Sequence, residues 1–552
     1  MNDDPQENLR GPVRGWEWWL LGAAVVLGAV VRFWAAWRAP GFWYDEAIYA
    51  LDSLDVWRNP GYWPIFFDRE DHMREPLYMY FQALVLGIFG VSVEVFRGGS
   101  AAIGTLTIPT IWLLAREWRG RIFAAIAVAV FVTMRWHVHF SGLGFRTITA
   151  PLFSALTMLF LLRYLRLCRW QDAVACGAAL GVGLYTYLAF RLMPIVVMVP
   201  LLAAVIGTLW RRDAFRPLAF GISLIVGTSA LVFLPLGVHY LRNPQHFSGR
   251  SNEVTLTQRP DAANIIMKQA RDVALMPLVR GDHVGKHNLP GPPRFLQLID
   301  TDPEIVAEVW SAERETASLE IPPREPMDPH GTGVPVFGLP GGVLFYAGLL
   351  LALGAALRGD TGALAILSLL VIGSLSSVLS FGAPNMLRLT LIIPAACCLV
   401  ALAMEELRNR VASAAFLTTP SSRRIASVVV IVNLLLPMAW RDYQRQAAWP
   451  THPMVPFEFN AELADIGRFL AAQPDRLPVL LPFAEQPTLT FIADGTIFNP
   501  LPIGLGARWW EMRCVPPFPP LRTFGEPIPG GRRLQIIHPQ GIPFGELVEV
   551  GR

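Results

Sequence analysis

Charged residues are scarce in this chain. Only 16% of its 552 residues are Asp, Glu, Lys or Arg, whereas 53% are hydrophobic, and the mean hydropathy is +0.40. Because about a quarter of the residues of a soluble domain are charged, the composition excludes an ordinary soluble protein and indicates a polytopic membrane protein. The formal net charge is only +3, so no nucleic-acid partner is indicated.

Cysteine is also rare. The chain has five cysteines, and none stands in a C-x-x-C or Cys/His spacing. We therefore predict neither a disulfide framework nor a zinc site. The first apolar run is not followed by a small-residue cleavage site, so we expect the first helix to remain as a membrane anchor.

Long apolar segments are abundant instead. A helix needs about 20 apolar residues to span a bilayer. Eleven segments approach that length, and they are 18–36, 98–115, 122–136, 149–162, 173–189, 192–210, 217–238, 336–357, 361–381, 389–404 and 425–440. The shorter segment 77–91 is expected to lie at the membrane surface.

Short arginine-rich loops set the predicted orientation. They are 116–121, 163–172, 211–216 and the linker 404–424. Since cytoplasmic loops carry an excess of Lys and Arg, we place all four in the cytoplasm, which works only if 77–91 does not cross. The N-terminus is then cytoplasmic and the C-terminus lies outside the inner or plasma membrane of the cell.

The predicted fold class is an all-α polytopic membrane protein of about eleven transmembrane helices with a small extracytoplasmic C-terminal α/β domain. The predicted parts are a transmembrane module (1–240) with its first outer loop (37–97), an outer loop (241–335), further transmembrane helices (336–440) and an outer domain (441–552).

The stretch "GFWYDEAIYALDSLDVW" (41–57) follows the first apolar segment directly. Adjacent carboxylates repel each other, and a carboxylate at membrane level usually has a function. Acidic residues also favour a helix N-terminus, which would explain one carboxylate but not a pair. We predict Asp45 and Glu46 as catalytic residues, and for Glu46 the capping interpretation stays equally open.

A second polar stretch is "DREDHMREPLYMY" (68–80). Its charges end before Pro76, which suits the first turn of an amphipathic helix at the interface. His72, Arg74 and Glu75 would then lie at headgroup height, close to a lipid phosphate.

The stretch "RWHVHFSGLGFRT" (135–147) joins two predicted spans on the outside and contains His137, His139 and Arg146. An HxH pair is half of a metal site at most, so we interpret both histidines as interfacial.

Two single arginines, Arg191 in "YTYLAFR" and Arg388 in "APNMLRLT", lie in outer loops, against the charge bias. The planar fork of arginine suits a phosphate group. A snorkelling side chain explains them equally well.

These features together resemble the GT-C membrane glycosyltransferases, most closely the protein O-mannosyltransferases and the aminoarabinose transferase of lipid A. The resemblance lies in the apolar first helix, the Asp-Glu pair, the acidic loop and "REPL" (74–77) before an aromatic helix. The stretch "FRGGSAAIGTLTIPTIWLLAREW" (96–118) resembles the next helix of that family. The resemblance covers about the first 240 residues, the later spans by topology only, and the tail not at all.

The resemblance implies that Asp45 is the catalytic aspartate of the first outer loop, with Glu46 as its neighbour. Arg74 fills the motif ahead of the aromatic helix, and Arg388 lies near the lipid-linked phosphate. The other predicted donor- or substrate-binding residues are Tyr44, His72, Glu75, Tyr78, Arg146 and Arg191. Because the second outer loop has no carboxylate, we assign no metal ligand and leave a divalent cation open as a cofactor.

The expected function is inverting transfer of a sugar from a polyprenyl-phosphate donor to an extracytoplasmic protein, lipid or cell-wall glycan. Asp45 would accept the proton of the acceptor. Arginines would stabilise the charge on the leaving phosphate. The alternatives are a transporter or flippase, which would show mid-span charges and repeats, and a catalytically inactive membrane scaffold.

Overall fold

The computed structural model describes residues 14–452, except 70–72, 212–214, 257–260, 283, 290–332 and 416, together with short segments between 455 and 551. The predicted site residue His72 lies outside the described residues.

The helices of the first half are α1 (Gly15–Arg38), α2 (Tyr44–Arg58), α3 (Leu77–Phe89), α4 (Val93–Arg119), α5 (Arg121–Thr133), α6 (Arg135–Ser141), α7 (Thr149–Leu167), α8 (Trp170–Gly183), α9 (Met193–Arg211) and α10 (Phe215–Arg242). They are followed by α11 (Pro244–Val254), α12 (Ala262–Leu275), α13 (Gly338–Leu357), α14 (Thr361–Val378), α15 (Ile393–Ala412), α16 (Pro420–Ala448) and the short α17 (Pro487–Ile492). Three 3-10 helices, Arg146–Ile148, Leu188–Leu192 and Arg388–Ile392, lead directly into α7, α9 and α15.

Within the described residues, nine helices are long and apolar enough to cross a membrane, which confirms an α-helical multi-pass membrane protein. The helices α5 and α6 meet at an angle of 56° and would form a tenth span if they cross together. α3 has 13 residues, too few to span, as expected for the segment 77–91.

The predicted span 173–189 forms a helix only as far as Gly183. Its helix, α8, has 14 residues and gives way to turns before the 3-10 helix Leu188–Leu192. At the end of α8 the hydroxyl of Thr186 donates to the carbonyl of Gly183, so a local side-chain bond competes with continuation of the helix.

Local sequence explains where the main spans begin and end. Ser92 caps α4, because its hydroxyl accepts a hydrogen bond from the amide of Val95 at 3.1 Å. Gly120 separates α4 from α5 with a φ of +94°, a conformation that a residue with a Cβ rarely adopts. The helix α15 lies in the centre of the bundle, with nearly all of its apolar residues buried.

The C-terminal segment contains a mixed sheet. Its strands are β1 (Val479–Leu480), β2 (Phe498–Asn499), β3 (Arg508–Cys514), β4 (Glu526–Pro527), β5 (Arg533–Ile537) and β6 (Pro543–Gly551). β1 is parallel to β2 and β3, and β6 is antiparallel to β3, β4 and β5. The short helix α17 contacts α2, and the α/β domain expected for the tail stays a prediction. The domain boundaries stay predictions.

Candidate active site

The stretch 41–57 forms α2, and its two adjacent carboxylates lie in the first turn. The side chain of Glu46 reaches back and accepts a hydrogen bond from the amide of Trp43 at 3.1 Å. This bond satisfies one of the amide groups that a helix leaves unpaired at its start. The same local geometry leaves Asp45 on the outside of the turn.

Glu46 is completely buried, and both of its oxygens are occupied. Arg97 of α4 donates to them from Nε at 2.9 Å and from Nη2 at 2.7 Å, and the amide of Gly144 donates at 2.5 Å. Glu46 thus ties α2 to α4 and to the second outer loop. Of the two interpretations left open, this geometry favours the one in which Glu46 positions the helix.

Asp45 is partly exposed, and among the described residues its carboxylate has no hydrogen-bond or ion-pair partner. Its charge acts on Tyr49, one turn further along α2. Burial raises the pKa of Tyr49 to about 12, and the negative charge of Asp45 adds to that rise. Asp45 therefore has both oxygens available to a reagent.

Arg74 is buried at 2% exposure, and the charge of Asp45 acts on its pKa. Its Nη2 pairs with Asp52 Oδ2 at 3.0 Å, and its guanidinium lies 5.6 Å from the ring centre of Tyr49. Burial lowers the pKa of Arg74, although Asp52 opposes that shift. Its Nε and Nη1 are buried and have no hydrogen-bond partner in the described part of the chain.

Glu75 joins two arginines. It pairs with Nη1 of Arg146 and, at 3.1 Å, with Nη2 of Arg191. The same Nη2 donates to the hydroxyl of Tyr240 at 2.9 Å. Burial raises the pKa of Glu75, but the two guanidinium groups together outweigh it, so the pKa is lowered. Glu75 is therefore an anion that holds arginines in place.

The three predicted arginines of the later outer loops have the same local setting. Arg146, Arg191 and Arg388 each belong to a 3-10 helix that leads into a long helix. The helix Arg388–Ile392 contacts the other two, and Thr147 donates to the carbonyl of Leu387 at 3.0 Å. Three segments that are distant in the sequence thus meet at one end of the bundle.

The three side chains differ in what they can offer. Arg146 lies 6.0 Å from the ring centre of Tyr49 and 5.3 Å from that of Tyr187, and its buried Nε has no partner among the described residues. The guanidinium of Arg191 already pairs with Glu75. Arg388 donates to Ser380 Oγ and to the carbonyl of Phe381, both at 2.6 Å, so its own loop orients it.

The predicted tyrosines have unequal positions. Tyr78 is fully buried and bonds Ser100 Oγ at 2.7 Å and Gln82 Nε2 at 2.6 Å. Its ring packs edge to face against that of Tyr49, with 6.2 Å between the ring centres, so it supports the position of Tyr49. Tyr44 is partly exposed next to Asp45.

His137 and His139 point to separate partners. Arg32 Nη2 donates to Nδ1 of His137 at 3.0 Å, and Nε2 of His139 donates to the carbonyl of Lys286 at 2.8 Å. Both rings are buried rather than interfacial. Within the described residues, no group of three or more His, Cys, Asp or Glu side chains could hold a metal ion.

One residue that the sequence did not single out lies next to the start of α2. Nζ of Lys286 is 4.2 Å from the ring centre of Trp43. The segment around it is fixed, because Asp282 accepts from the amide of Met386 at 2.7 Å and from His287 at 2.9 Å. The polar run "GDHVGKHNL" (281–289) is the only sequence signal that could have indicated it.

The tail also reaches this site. Phe42 donates its amide to the carbonyl of Phe459 at 2.8 Å, and its own carbonyl accepts from the hydroxyl of Thr488 at 3.0 Å. The rings of Phe42 and Phe491 are 5.1 Å apart. Residues of the C-terminal segment therefore fix the chain three positions before Asp45.

Comparisons with known proteins agree with this arrangement. Residues 71–238 match the family model described as dolichyl-phosphate-mannose-protein mannosyltransferase. No curated protein is significantly similar to the chain.

Three solved structures resemble the chain over most of its length. ArnT from Cupriavidus metallidurans in the apo state has a TM-score of 0.51 and 17% identity, covering 88% of this chain and 85% of that one. The same ArnT bound to undecaprenyl phosphate has a TM-score of 0.47 and 18% identity, covering 88% and 86%. The apo Archaeoglobus fulgidus oligosaccharyltransferase has a TM-score of 0.51 and 14% identity, covering 83% of this chain and 58% of that one.

At these identities the structural likeness establishes the fold, and the family model adds a match in sequence across Arg74, Glu75, Arg146 and Arg191. The resemblance predicted from "YDEA" and "REPL" is confirmed: the chain is a multi-pass membrane protein of the GT-C glycosyltransferase fold, similar to the mannosyltransferase and ArnT group.

Proposed function

We propose that this protein is an integral-membrane inverting glycosyltransferase that moves a sugar from a polyprenyl-phosphate donor to an extracytoplasmic acceptor. One observation carries the proposal. The charges of Asp45, Arg74 and Arg146 all act on Tyr49, and both arginines carry buried guanidinium nitrogens without partners in the described residues. A buried donor without a partner costs free energy, so such nitrogens suit a site that an anion completes.

The donor class follows from these nitrogens and from the family model. Arginine forks bind phosphate oxygens through two parallel hydrogen bonds. Dolichyl phosphate, named in the description of the matching family, is a polyprenyl phosphate. Arg74 and Arg146 would bind the donor phosphate, with Glu75 holding Arg146 in position and Arg388 contributing from the neighbouring 3-10 helix.

The reaction needs one base and one leaving group. An acceptor hydroxyl transfers its proton to Asp45 while its oxygen attacks the anomeric carbon. The bond between that carbon and the phosphate oxygen breaks, and its electron pair leaves with the phosphate. The developing charge is stabilised by Arg74 and Arg146, so no general acid is required. A single displacement inverts the anomeric configuration.

The acceptor is a protein, a lipid or a glycan outside the membrane, with the N-terminus in the cytoplasm. The described residues offer no cluster that fits a divalent cation, and none of these steps passes through one.

The test is transfer of radiolabelled sugar from polyprenyl-phosphate mannose and related donors, with the protein in lipid nanodiscs and a membrane extract as acceptor. Asp45→Asn keeps the shape and removes the base, so we expect transfer to fall by about 100-fold or more. Asp55→Asn is the matched control, since Asp55 lies on the same helix but is exposed and paired with Arg69.

Wild-type activity with loss in Asp45→Asn alone supports the proposal, and the labelled product identifies the acceptor class. Equal activity of Asp45→Asn and wild type would show that Asp45 is not the base. If no donor supports transfer, the transporter and scaffold alternatives move forward.

A further inference from the structure

A cavity lies at the end of the bundle opposite Asp45. Its volume is about 660 Å³, and Trp118 of α4 lines it. Arg97, which holds Glu46, is near the other end of the same helix, about 30 Å away at the rise of an α-helix. α15 gives the same separation, since it starts beside Arg388 and reaches the cavity with Arg408.

The cavity has an apolar wall and a charged rim. Ile122, Leu162 and Leu165 form part of the wall, between the ends of α5 and α7. The rim carries four arginines and three carboxylates, namely Arg119, Arg166, Arg358, Arg408, Glu117, Asp360 and Glu405. A pocket that is apolar towards the spans and basic at the rim matches a molecule that has an apolar part and an anionic head.

All three carboxylates are already occupied. Glu405 accepts from Nε of Arg119 at 2.8 Å, and Glu117 accepts from Nη2 of Arg166 at 2.9 Å. Asp360 accepts from the indole nitrogen of Trp118 at 3.2 Å. Two of the three carboxylates therefore neutralise Arg119 and Arg166, and Asp360 is held by neutral donors.

Arg358 and Arg408 are the two rim arginines that form no direct ion pair in the described part of the chain. Among the described residues neither has a carboxylate partner, and Nη1 of Arg408 bonds only the side-chain oxygen of Asn409, at 2.8 Å. The rim thus keeps a net positive charge, with two arginines that have no carboxylate partner within the described ranges, at the mouth of a cavity whose volume is typical of ligand sites.

We propose that this cavity binds the phosphate headgroup of an anionic membrane phospholipid. Basic pockets between the ends of transmembrane helices bind such headgroups, and arginine forks match phosphate oxygens. The apolar wall would take the start of the acyl chains, which a soluble phosphate lacks. The charge bias of cytoplasmic loops explains arginines at this end but predicts no preference for one cavity.

The test compares the full-length protein in neutral phosphatidylcholine nanodiscs with the protein in nanodiscs that also contain phosphatidylglycerol or cardiolipin. Native mass spectrometry counts anionic lipids retained after release from the disc, and thermal unfolding reports stabilisation. The variant is Arg358→Gln with Arg408→Gln. Its matched control is Arg423→Gln with Arg424→Gln, which removes the same charge from exposed residues at the start of α16.

We expect the wild type and the control to retain anionic lipid, and the cavity variant to bind it at least about tenfold more weakly, because only the cavity variant loses the two guanidinium groups that would contact the phosphate. Equal retention in all three proteins would overturn the proposal. So would inorganic phosphate or glycerol phosphate, added to neutral nanodiscs, stabilising the wild type but not the cavity variant, since the ligand would then be soluble. Neither result depends on Asp45 being catalytic.

Discussion

Two ion pairs at opposite ends of the helix bundle differ in how far they are exposed. At the Asp45 end, Glu46 and Arg97 pair with side-chain exposures of 0% and 2%, and nitrogens of Arg74 are buried without a partner in the described residues. At the opposite end, the pair of Glu406 and Arg410 is exposed to 38% and 72%.

Burial decides how much the two pairs matter for stability. A buried charge is costly unless it is paired, whereas an exposed ion pair contributes little to stability. The arrangement at the Asp45 end must therefore be maintained by specific partners. At the opposite end this holds for the buried Glu17, which pairs with Arg116 and Arg121, but not for the exposed pair of Glu406 and Arg410.

The largest expected effect is on the buried pair. Glu46→Gln leaves Arg97 buried without a counter-charge, and we expect the free energy of unfolding to fall by about 3–5 kcal/mol. Glu406→Gln, at the opposite end, should change it by less than about 1 kcal/mol. Thermal unfolding in nanodiscs measures both. Similar losses of stability in the two variants would show that the buried and the exposed pair do not differ.

The next prediction concerns the planar guanidinium of Arg74, which would bind the donor phosphate. Arg74→Lys keeps the charge but removes the planar fork, so we expect kcat/KM for the donor to fall by about 10- to 100-fold. Arg69→Lys makes the same exchange five residues earlier, where Arg69 pairs with Asp52 and Asp55. If the Arg69 variant loses as much activity as the Arg74 variant, the fork of Arg74 does not bind the phosphate.

Much of the fold could be predicted from the sequence, because spanning helices need long apolar segments and these are visible in one dimension. The predicted span 173–189 was wrong in its second part because of a local interaction. A side-chain bond of Thr186 accompanies the early end of α8. The role of Asp45, inferred from a carboxylate directly after a span, stays a prediction.

The proposed division of roles between Asp45 and Glu46 could not be predicted from the sequence. It depends on Arg97, which lies 51 residues from Glu46 in the sequence and lies beside it only through the packing of α2 and α4. Lys286 and Thr488 were missed for the same reason, since each reaches the start of α2 from a distant segment whose local pattern shows no such contact.

Glu75 predicts a smaller, pH-dependent effect at the Asp45 end. Its pKa is lowered in the folded protein, because Arg146 and Arg191 outweigh the effect of burial. Its stabilising contribution is therefore complete above the unfolded pKa of about 4.3 and is lost as the pH falls through the lower folded value. We expect Tm to decrease below about pH 4.3 in the wild type, and less steeply in Glu75→Gln. Parallel slopes would contradict this role.

The smallest effect is expected at Lys286, where the buried site meets solvent. Its ammonium lies over Trp43 without an ion pair among the described residues, and an exposed cation–π contact contributes about 0.5–1 kcal/mol. Lys286→Met keeps most of the apolar stem, so unfolding in nanodiscs should change by no more than that amount. Transfer assays should show a shift of a few fold in KM for the acceptor at unchanged kcat, because Trp43 precedes Asp45 by two residues. A loss in kcat instead would mean that Lys286 contacts the reacting groups, and would extend the buried, charge-dependent site beyond α2 into the segment 281–289.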